Sequence, residues 1–366
     1  MCPEEKTGPA IVRDRTARIC YNKSDIHGGK CDRDYTKVMT NIGETRMGYD
    51  DSIVTICRQF TDEPVTETEA VFEGHINDTC FVKTGAGRYV LQRLQPRMDA
   101  SKLLYNYGLY AKACDSAGWE YPKWMQCKDG TYFFTDSSGF RWRMYPYIDA
   151  ETLQAPLTRE QLFACGKGLS KLHGILQTLP AEPKPVYPML HDLSEYYERY
   201  LATLSGDNLC EESRVPEAEE QIQVGIERFL TADSKTDSAE AGNIRIIHGD
   251  AKLSNILFRN GEAVGMLDWD TVMAGSASEE LADCIRSCCV SRGDFDREAA
   301  DIIVQGYQSG MKEAVVSDLP RAFDKINFEL ALRYYTDVIS KEKTFKERYP
   351  GYRLTRVREL LGVTWR

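Results

Sequence analysis

The sequence predicts an α+β chain in two parts. A small antiparallel β lobe with one helix is expected over residues 51–146, and a larger, mainly helical lobe over 147–366. Three observations lead there. Runs rich in β-branched and aromatic residues crowd the first part. A long apolar stripe of helical period opens the second. A compact strand–loop–strand segment interrupts the helices near residues 244–272.

Residues 1–50 are polar and lack clear periodicity, so an N-terminal extension without an assigned role is expected there, with its lone His27 exposed to solvent. VTETEAVF (65–72), DTCFVKT (78–84) and RYVLQRL (88–94) are three β-prone runs, and Gly85 and Gly87 set a hairpin between the second and third. A helix from about Asp99 to Ala117 follows, stopped by Gly118. TYFFTD and FRWRMYPYI, separated by Ser137, Ser138 and Gly139, give a second hairpin. From Thr158, the residues Leu162, Cys165, Leu169, Leu172 and Leu176 recur on one helical face. Pro183, Pro185 and Pro188 then break the chain; helices are expected near 192–204 and 212–232, and a polar loop over 232–242. The turn at 260–262 pairs ILF with AVGML. The last hundred residues are mostly helical, and no internal repeat is visible.

Of the 366 residues, 42% are apolar and 28% charged, the balance of an ordinary globular chain. The net charge of −10 argues against broad binding to nucleic acid or an anionic membrane, although a local basic pocket for a small anion remains open. No stretch approaches the ~18–20 apolar residues of a membrane span, and the first residues lack the apolar run of a secretory leader. A cytoplasmic protein is therefore expected. The twelve cysteines are scattered without a C-x-x-C pair, which fits a reducing compartment where thiols serve as small core residues. Cys284 and Cys288, four apart, read as one buried helix face.

The chemistry concentrates in IIHGDAKLSNILFRNGEAVGMLDWDTV, residues 246–272. An apolar strand ends at His248-Gly249-Asp250; Asn255 follows five residues later, and Asp268 ends the next apolar run. Two carboxylates and one carboxamide thus emerge at what reads as the ends of adjacent strands. Phosphoryl transfer needs such a set: one carboxylate to orient and deprotonate a hydroxyl, a second carboxylate and an amide oxygen to hold Mg²⁺ against nucleotide phosphates. Hard oxygen donors without thiolate suit Mg²⁺ rather than zinc.

H-G-D-x-K-x-x-N followed by a strand and L-D-x-D resembles the catalytic loop and metal aspartate of the aminoglycoside phosphotransferase and choline kinase superfamily, relatives of the protein kinases. A kinase-like bilobal fold is what this resemblance implies. EGHINDT (73–79), RYVLQRL, LDWDTVMAG (267–275), ADCIRS (282–287), LRYYTDVI (332–339) and RYPGY (348–352) are similar to the N-acetylhexosamine 1-kinase group, so the likeness covers roughly residues 52–360. By that likeness, Asp250 is the catalytic base, and Asn255 and Asp268 hold Mg²⁺. Gly74, His75 and Asn77 lie in the loop over the ATP phosphates, and Met144–Ile148, with Tyr145 and Tyr147, forms the hinge beside the adenine. Tyr145 and Arg333 match positions near the sugar. The strand position that usually holds a phosphate-binding lysine reads Gln92-Arg93, as expected in the hexosamine group, and the helix glutamate that pairs with such a lysine is not evident between 99 and 117.

Other residues stay open between roles. Lys252 either touches the transferring phosphate or pairs with Asp250; Asp270 binds a second metal or the sugar, or caps the next turn. His248 and His173 are expected to be structural and Asp283 and Arg286 to anchor the catalytic loop; His191-Asp192 matches a pair in the hexosamine kinases, and a helix cap by Asp192 explains it equally well. The expected activity is ATP- and Mg²⁺-dependent phosphorylation of an N-acetylhexosamine at its anomeric hydroxyl. A cationic acceptor, aminoglycoside or choline, is the alternative, and a non-catalytic kinase-like binding module a further one. D-F-G and A-P-E, the marks of a protein kinase, are missing.

Overall fold

The computed structural model describes residues 49–71, 78–231, 244–311 and 318–365. The expected extension up to residue 48, the phosphate-loop candidates Gly74, His75 and Asn77, and the polar loop expected over 232–242 lie outside the described residues. Residues 50–366 form one compact unit.

Helix α1 (Tyr49–Cys57) precedes a five-stranded antiparallel sheet built from β1 (Val65–Val71), β2 (Asp78–Thr84), β3 (Arg88–Arg93), β4 (Phe134–Thr135) and β5 (Arg141–Pro146) in the order β1-β2-β3-β5-β4. The three sequence-predicted strands of the first half are these first three almost to the residue. The sheet alternates as pleating requires. One face carries Cys80, Val82, Leu91, Trp142 and Met144, which pack with Ile53, Ile56 and Cys57 of α1. The other carries Val90 and Tyr145, which pack with Leu103 and Trp124. Strand patterns were expected to dominate from residue 51, with one helix; α1 corrects this. Its Ile53, Ile56 and Cys57 follow the i, i+3, i+4 spacing of a helix face, and the uncovered sheet surface supplies the partner.

Helix α2 (Ala100–Ala117) starts where Asp99 accepts the Ser101 and Lys102 amides and stops at left-handed Gly118. Its far end leaves the small sheet. Tyr110 and Cys114 join the main core of the helical lobe, and Tyr110 stacks on Trp269 at 4.4 Å. The chain after it, at Glu120, bonds to Val264 and Met266. Part of the segment 51–146 is thus built into the large lobe.

That lobe contains α3 (Arg159–Leu176), α4 (Leu193–Ser205), α5 (Pro216–Ile226), α6 (Ala277–Cys289), α7 (Arg297–Gly310), α8 (Leu319–Ile339) and α9 (Tyr352–Leu361). Thr158 and Gln161 form a reciprocal capping box at the start of α3. The strands β6 (Ile244–Ile247), β7 (Ile256–Arg259), β8 (Glu262–Met266) and β9 (Met273–Ser276) make two separate ribbons, β6 with β9 and β7 with β8. This corrects the expectation that the strand before the catalytic loop neighbours the hairpin after it. The partner of β6 is β9, because the chain turns sharply at Asp268 and brings residues 273–276 back alongside 244–247.

Helices α3 and α7 cross backbone to backbone. A Cβ added at Gly166 would stand 1.9 Å from the Ile303 carbonyl oxygen, and one at Gly306 would stand 2.1 Å from that of Phe163. Both helices bear on the catalytic segment through α6, so this crossing sets the base of the site. Gly166→Ala and Gly306→Ala are each expected to lower the unfolding free energy by about 1–3 kcal/mol or more. Gly108→Ala, on an exposed part of α2 with open space around its Cβ, is expected to raise it by about 0.5–1 kcal/mol. Urea unfolding of the three variants checks this, and equal effects at all three positions would contradict the close crossing.

Candidate active site

The loop that follows β6 is fixed from behind. Gly249 has φ 84°, and a Cβ on it would meet the Thr271 carbonyl oxygen at 2.5 Å, so only glycine fits. Its amide donates to Glu280 Oε1 at 2.6 Å. Glu280, on α6, is buried and bonded through Oε2 to His173 Nε2 at 2.5 Å, and His173 Nδ1 reaches Tyr307 Oη at 2.6 Å. The Leu253 amide donates to Ser287 Oγ at 2.8 Å. The anchors of the loop are therefore Glu280 and Ser287. Asp283 and Arg286, expected in that role, pair with each other at 2.7 Å and act on the loop through charge, Arg286 toward Asp250 and Asp283 toward Lys252. His173 was expected to be core; it is buried, and it also orients Glu280. His248 is structural as expected, with Nε2 bonded to the Leu267 carbonyl at 2.8 Å.

Asp250 sits at the head of this loop. Lys252 Nζ donates to Asp250 Oδ2 at 2.6 Å, and Asn255 Nδ2 donates to the Asp250 carbonyl at 2.8 Å and to Oδ2 at 2.9 Å. Burial alone would raise the Asp250 carboxyl; the Lys252 ammonium and the Asn255 amide outweigh it and hold the group below its usual range. Of the two roles left open for Lys252, the pairing with Asp250 is the one seen. Both oxygens facing the Asn255 amide are acceptors, so its nitrogen is spent on the loop and Oδ1 is left as the donor for a cation.

Asp268 closes β8 in a left-handed conformation, φ 55° and ψ 53°, which costs a non-glycine residue energy and marks a position held by its surroundings. Burial pushes its carboxyl up, Asp270 and Asp250 add to this, and Lys252 and Arg143 offset it in part. With Asp250 paired to Lys252 and Asp270 to Arg143, Asp268 is the carboxylate of the three whose charge suits a cation. Mg²⁺ takes one or two protein carboxylates together with substrate phosphates and water, and the oxygens of Asp268 and Asn255 fit that donor set. No group of three or more His, Cys, Asp and Glu side chains among the described residues is placed to hold a metal by itself. The Tyr187 hydroxyl, buried without a hydrogen-bond partner and within electrostatic reach of Asp270, Arg143 and Asp268, adds a donor suited to an anionic ligand.

Asp270 is taken by Arg143, through Nη1–Oδ1 at 2.6 Å and Nη2–Oδ2 at 2.8 Å. Arg143 Nε also bonds Gln92 Oε1 at 3.0 Å. Gln92, Arg143, Tyr145, Trp124, Asp268 and Asp270 line one small cavity between the sheet and the metal turn. Tyr147 stands at the end of β5, edge-on to Phe81 and covered by Arg88. Tyr145 and Arg333, matched together to the sugar, fall in different places. Tyr145 packs with Val90, Leu94 and Trp124 under the sheet. Arg333 lies on α8, 3.5 Å from Glu329 and over the rings of Tyr196 and Phe345.

Glu329 was not foreseen. It is buried, ion-paired with His191 at 3.4 Å, and His191 Nε2 in turn reaches the Gly249 carbonyl at 3.0 Å. His191 has a positive φ of 62°, and Asp192 caps α4 through the Ser194 and Glu195 amides, as expected. A glutamate set among apolar residues of a helix was the available signal for both, Glu280 in the first turn of α6 and Glu329 in the middle of α8, since such residues stay buried only when paired.

The likeness to known proteins agrees with this geometry. The model of a family described as the phosphotransferase enzyme family matches residues 67–315. Homoserine kinase of Gluconobacter oxydans (strain 621H) is 25% identical over 248 residues, 65% of this chain and 72% of that protein. Homoserine kinase of Hyphomonas neptunium (strain ATCC 15444) is 23% identical over 257 residues, 66% and 72%. Among solved structures, an amicoumacin kinase in complex with AMP-PNP and Ca²⁺ superposes with a TM-score of 0.61 at 11% identity, covering 87% of this chain and 95% of its own. Choline kinase of Cryptosporidium parvum Iowa II superposes with a TM-score of 0.57 at 14% identity, covering 85% and 94%. These two share the fold, a small antiparallel sheet lobe and a larger helical lobe. No helix among the described residues is long and apolar enough to cross a membrane. With the matched span covering nearly all of the sheet and residues 244–276, the chain belongs to the phosphotransferase enzyme family and is a small-molecule phosphotransferase with a hydroxyl acceptor.

Proposed function

We propose that the chain is an ATP- and Mg²⁺-dependent kinase that phosphorylates the anomeric hydroxyl of an N-acetylhexosamine and releases the sugar 1-phosphate. The observation that carries the chemistry is the Asp250–Lys252–Asn255 cluster facing Asp268. Asp250 is ionised and aimed by Lys252 and Asn255, so it accepts the proton of the attacking hydroxyl. The hydroxyl oxygen then bonds to the γ-phosphorus, the bond to the bridging oxygen breaks, and ADP leaves with that electron pair. Mg²⁺, held by Asn255 and Asp268 when bound, supplies neutralising charge on the phosphates. The loop anchors Glu280 and Ser287 keep Asp250 in place throughout, which is the positioning part of the catalysis.

For the acceptor, the support is of two kinds. Motifs along residues 73–352 resemble the hexosamine 1-kinases. Next to the catalytic loop, Glu329 keeps Oε2 buried without a hydrogen-bond partner, and Arg333 stands beside it. A carboxylate and a guanidinium together suit a neutral polyol with an amide. The aromatic faces of Tyr196 and Phe345, which a quaternary ammonium needs, are already covered by Arg333. A second reading, an amino acid or amino alcohol acceptor, is favoured by the likeness to the two homoserine kinases; there the ammonium would take the Glu329 oxygen and a carboxylate the arginine. A cationic aminoglycoside would have to displace Arg333. The binding-module alternative finds no support in a family of transferases with Asp250, Asn255 and Asp268 all present.

ADP release with ATP and Mg²⁺ is expected on N-acetylglucosamine or N-acetylgalactosamine, with loss of reducing-end reactivity in the product. Homoserine, choline, aminopropanol and kanamycin complete the panel, and turnover confined to any of them would replace the hexosamine. Asp250→Asn is expected to lower kcat by roughly 10²–10⁴-fold while nucleotide binding persists.

The His191–Glu329 pair predicts a pH dependence. Burial would lower the His191 imidazolium, but Glu329 overrides this and raises it to about 9, while Glu329 itself is held below its usual range by His191. A raised folded-state pKa stabilises the fold fully below the unfolded value of ~6.5. That contribution, on the order of a few kcal/mol, is lost as the pH climbs through about 9. Urea unfolding between pH 6 and pH 10 is expected to show this decline in the native chain and not in His191→Gln; parallel profiles would dismiss it.

A further inference from the structure

The fold ordinarily places a lysine on the sheet strand that here carries Gln92, and the structure shows what stands there instead. Gln92 and Arg143 are directly opposite in the β3–β5 ladder, on the face that looks toward the metal turn. Arg93, the next residue, is on the opposite face, paired with Asp78 and lying over the Phe140 ring. The cation beside Gln92 on this face is Arg143, side-chain exposure 3%, its guanidinium 5.0 Å above the Trp124 ring; Arg88, on the same face, lies over Tyr147 at the end of β5.

We infer that Arg143 is a positioning residue for the metal site: through Asp270 it sets the turn that presents the Asp268 carboxylate, and so ties the affinity for the phosphate-bound metal to the placement of the small-lobe sheet. This rests on the ATP and Mg²⁺ reading above. The reasons are geometric. Nε and both Nη atoms are engaged by Gln92 and Asp270, so the guanidinium acts as a fork on a carboxylate rather than as a loose charge. Asp270 lies two residues beyond Asp268, in the short 3₁₀ turn Trp269–Thr271 that Asp268 initiates in its left-handed conformation. On its large-lobe side the turn is fixed by Thr271 Oγ1 to the His248 carbonyl at 2.7 Å and by Trp269 Nε1 to the Met266 carbonyl at 2.8 Å. On its small-lobe side Arg143 grips it. The pairing also neutralises Asp270, so that of the two aspartates of the turn Asp268 keeps its charge for the cation. A lysine and a helix glutamate within the small lobe would leave sheet and metal turn free to separate; an arginine paired to the turn joins them.

The test uses Arg143→Lys, Arg143→Gln, Asp270→Asn and the double variant Arg143→Gln/Asp270→Asn. Mn²⁺ binding is read by electron paramagnetic resonance in the presence of the non-hydrolysable analogue AMP-PNP, and metal-free AMP-PNP binding by calorimetry in EDTA. Each single variant is expected to weaken Mn²⁺ binding by about 10–100-fold with metal-free nucleotide affinity unchanged within about twofold. Arg143→Lys should fail like Arg143→Gln, because lysine keeps the charge but not the fork. The double variant should lose no more than either single one, since all act through one pair. Asp270→Asn, nearly isosteric, keeps the test open should an Arg143 variant fold poorly. Folded Arg143→Lys and Asp270→Asn with native Mn²⁺ affinity would overturn the inference, as would loss of metal-free nucleotide binding in Arg143→Gln alone. An unaltered chain that binds no Mn²⁺ with the analogue would sink the ATP and Mg²⁺ reading itself.

Discussion

The buried carboxylate of Glu280 is the interaction on which the active centre depends. It accepts the Gly249 amide on one oxygen and His173 on the other, and Tyr307 closes the chain of bonds behind them. A lone carboxylate at that depth would be prohibitively costly to bury; with two donors it is satisfied, and it can bind the one amide whose position decides where Asp250 points. Gly249 contributes the complementary constraint, since the left-handed turn and the neighbouring Thr271 carbonyl leave no room for a side chain. The loop is thus held from behind by α6 as well as by the chain after β8, through Leu267 and Thr271, and α6 is in turn set by the glycine crossing of α3 and α7.

Around this anchor the site is an arrangement of opposite charges, half-buried in Lys252 with Asp250 and more deeply buried in Arg143 with Asp270, His191 with Glu329 and Lys325 with Glu279. Buried ion pairs add little net stability, because desolvation cancels much of their attraction, yet losing one partner is severe. Their effect here is on geometry. Apart from Lys252 and Asp250, two residues apart in one loop, each pair joins elements remote in the chain and favours one arrangement of them. Asp268 is the exception: its carboxylate is paired with no cationic side chain of the described residues in this way, and the proposed cation would complete it.

The two lobes are also less separate than their secondary structure suggests. The end of α2 lies in the large-lobe core, Glu120 extends the β7–β8 ribbon, and Arg143 reaches from β5 to the metal turn. The sheet is therefore held to the catalytic loop by packing, by main-chain bonds and by a fork of charge, all meeting near Trp269.

By itself, the sequence determined what neighbouring residues decide among themselves. Alternating runs became β1, β2 and β3; Asp99 and Gly118 bounded α2; Thr158 and Gln161 capped α3; and the five-residue spacing from Asp250 to Asn255 brought both side chains together within one loop. These are local constraints of backbone dihedrals, caps and turns, which act over a few residues and need no partner from afar. Tertiary structure decided the rest. Arg143 and Asp270 are 127 residues apart, and His173 and Glu280 107, and nothing in either neighbourhood names the other. The short helix α1 found its partner only in the sheet face it covers, and β6 chose β9 only after Asp268 had turned the chain. Whether a buried charge is a liability or an anchor depends on which opposite charge the packing delivers to it, and that is a property of the folded chain as a whole.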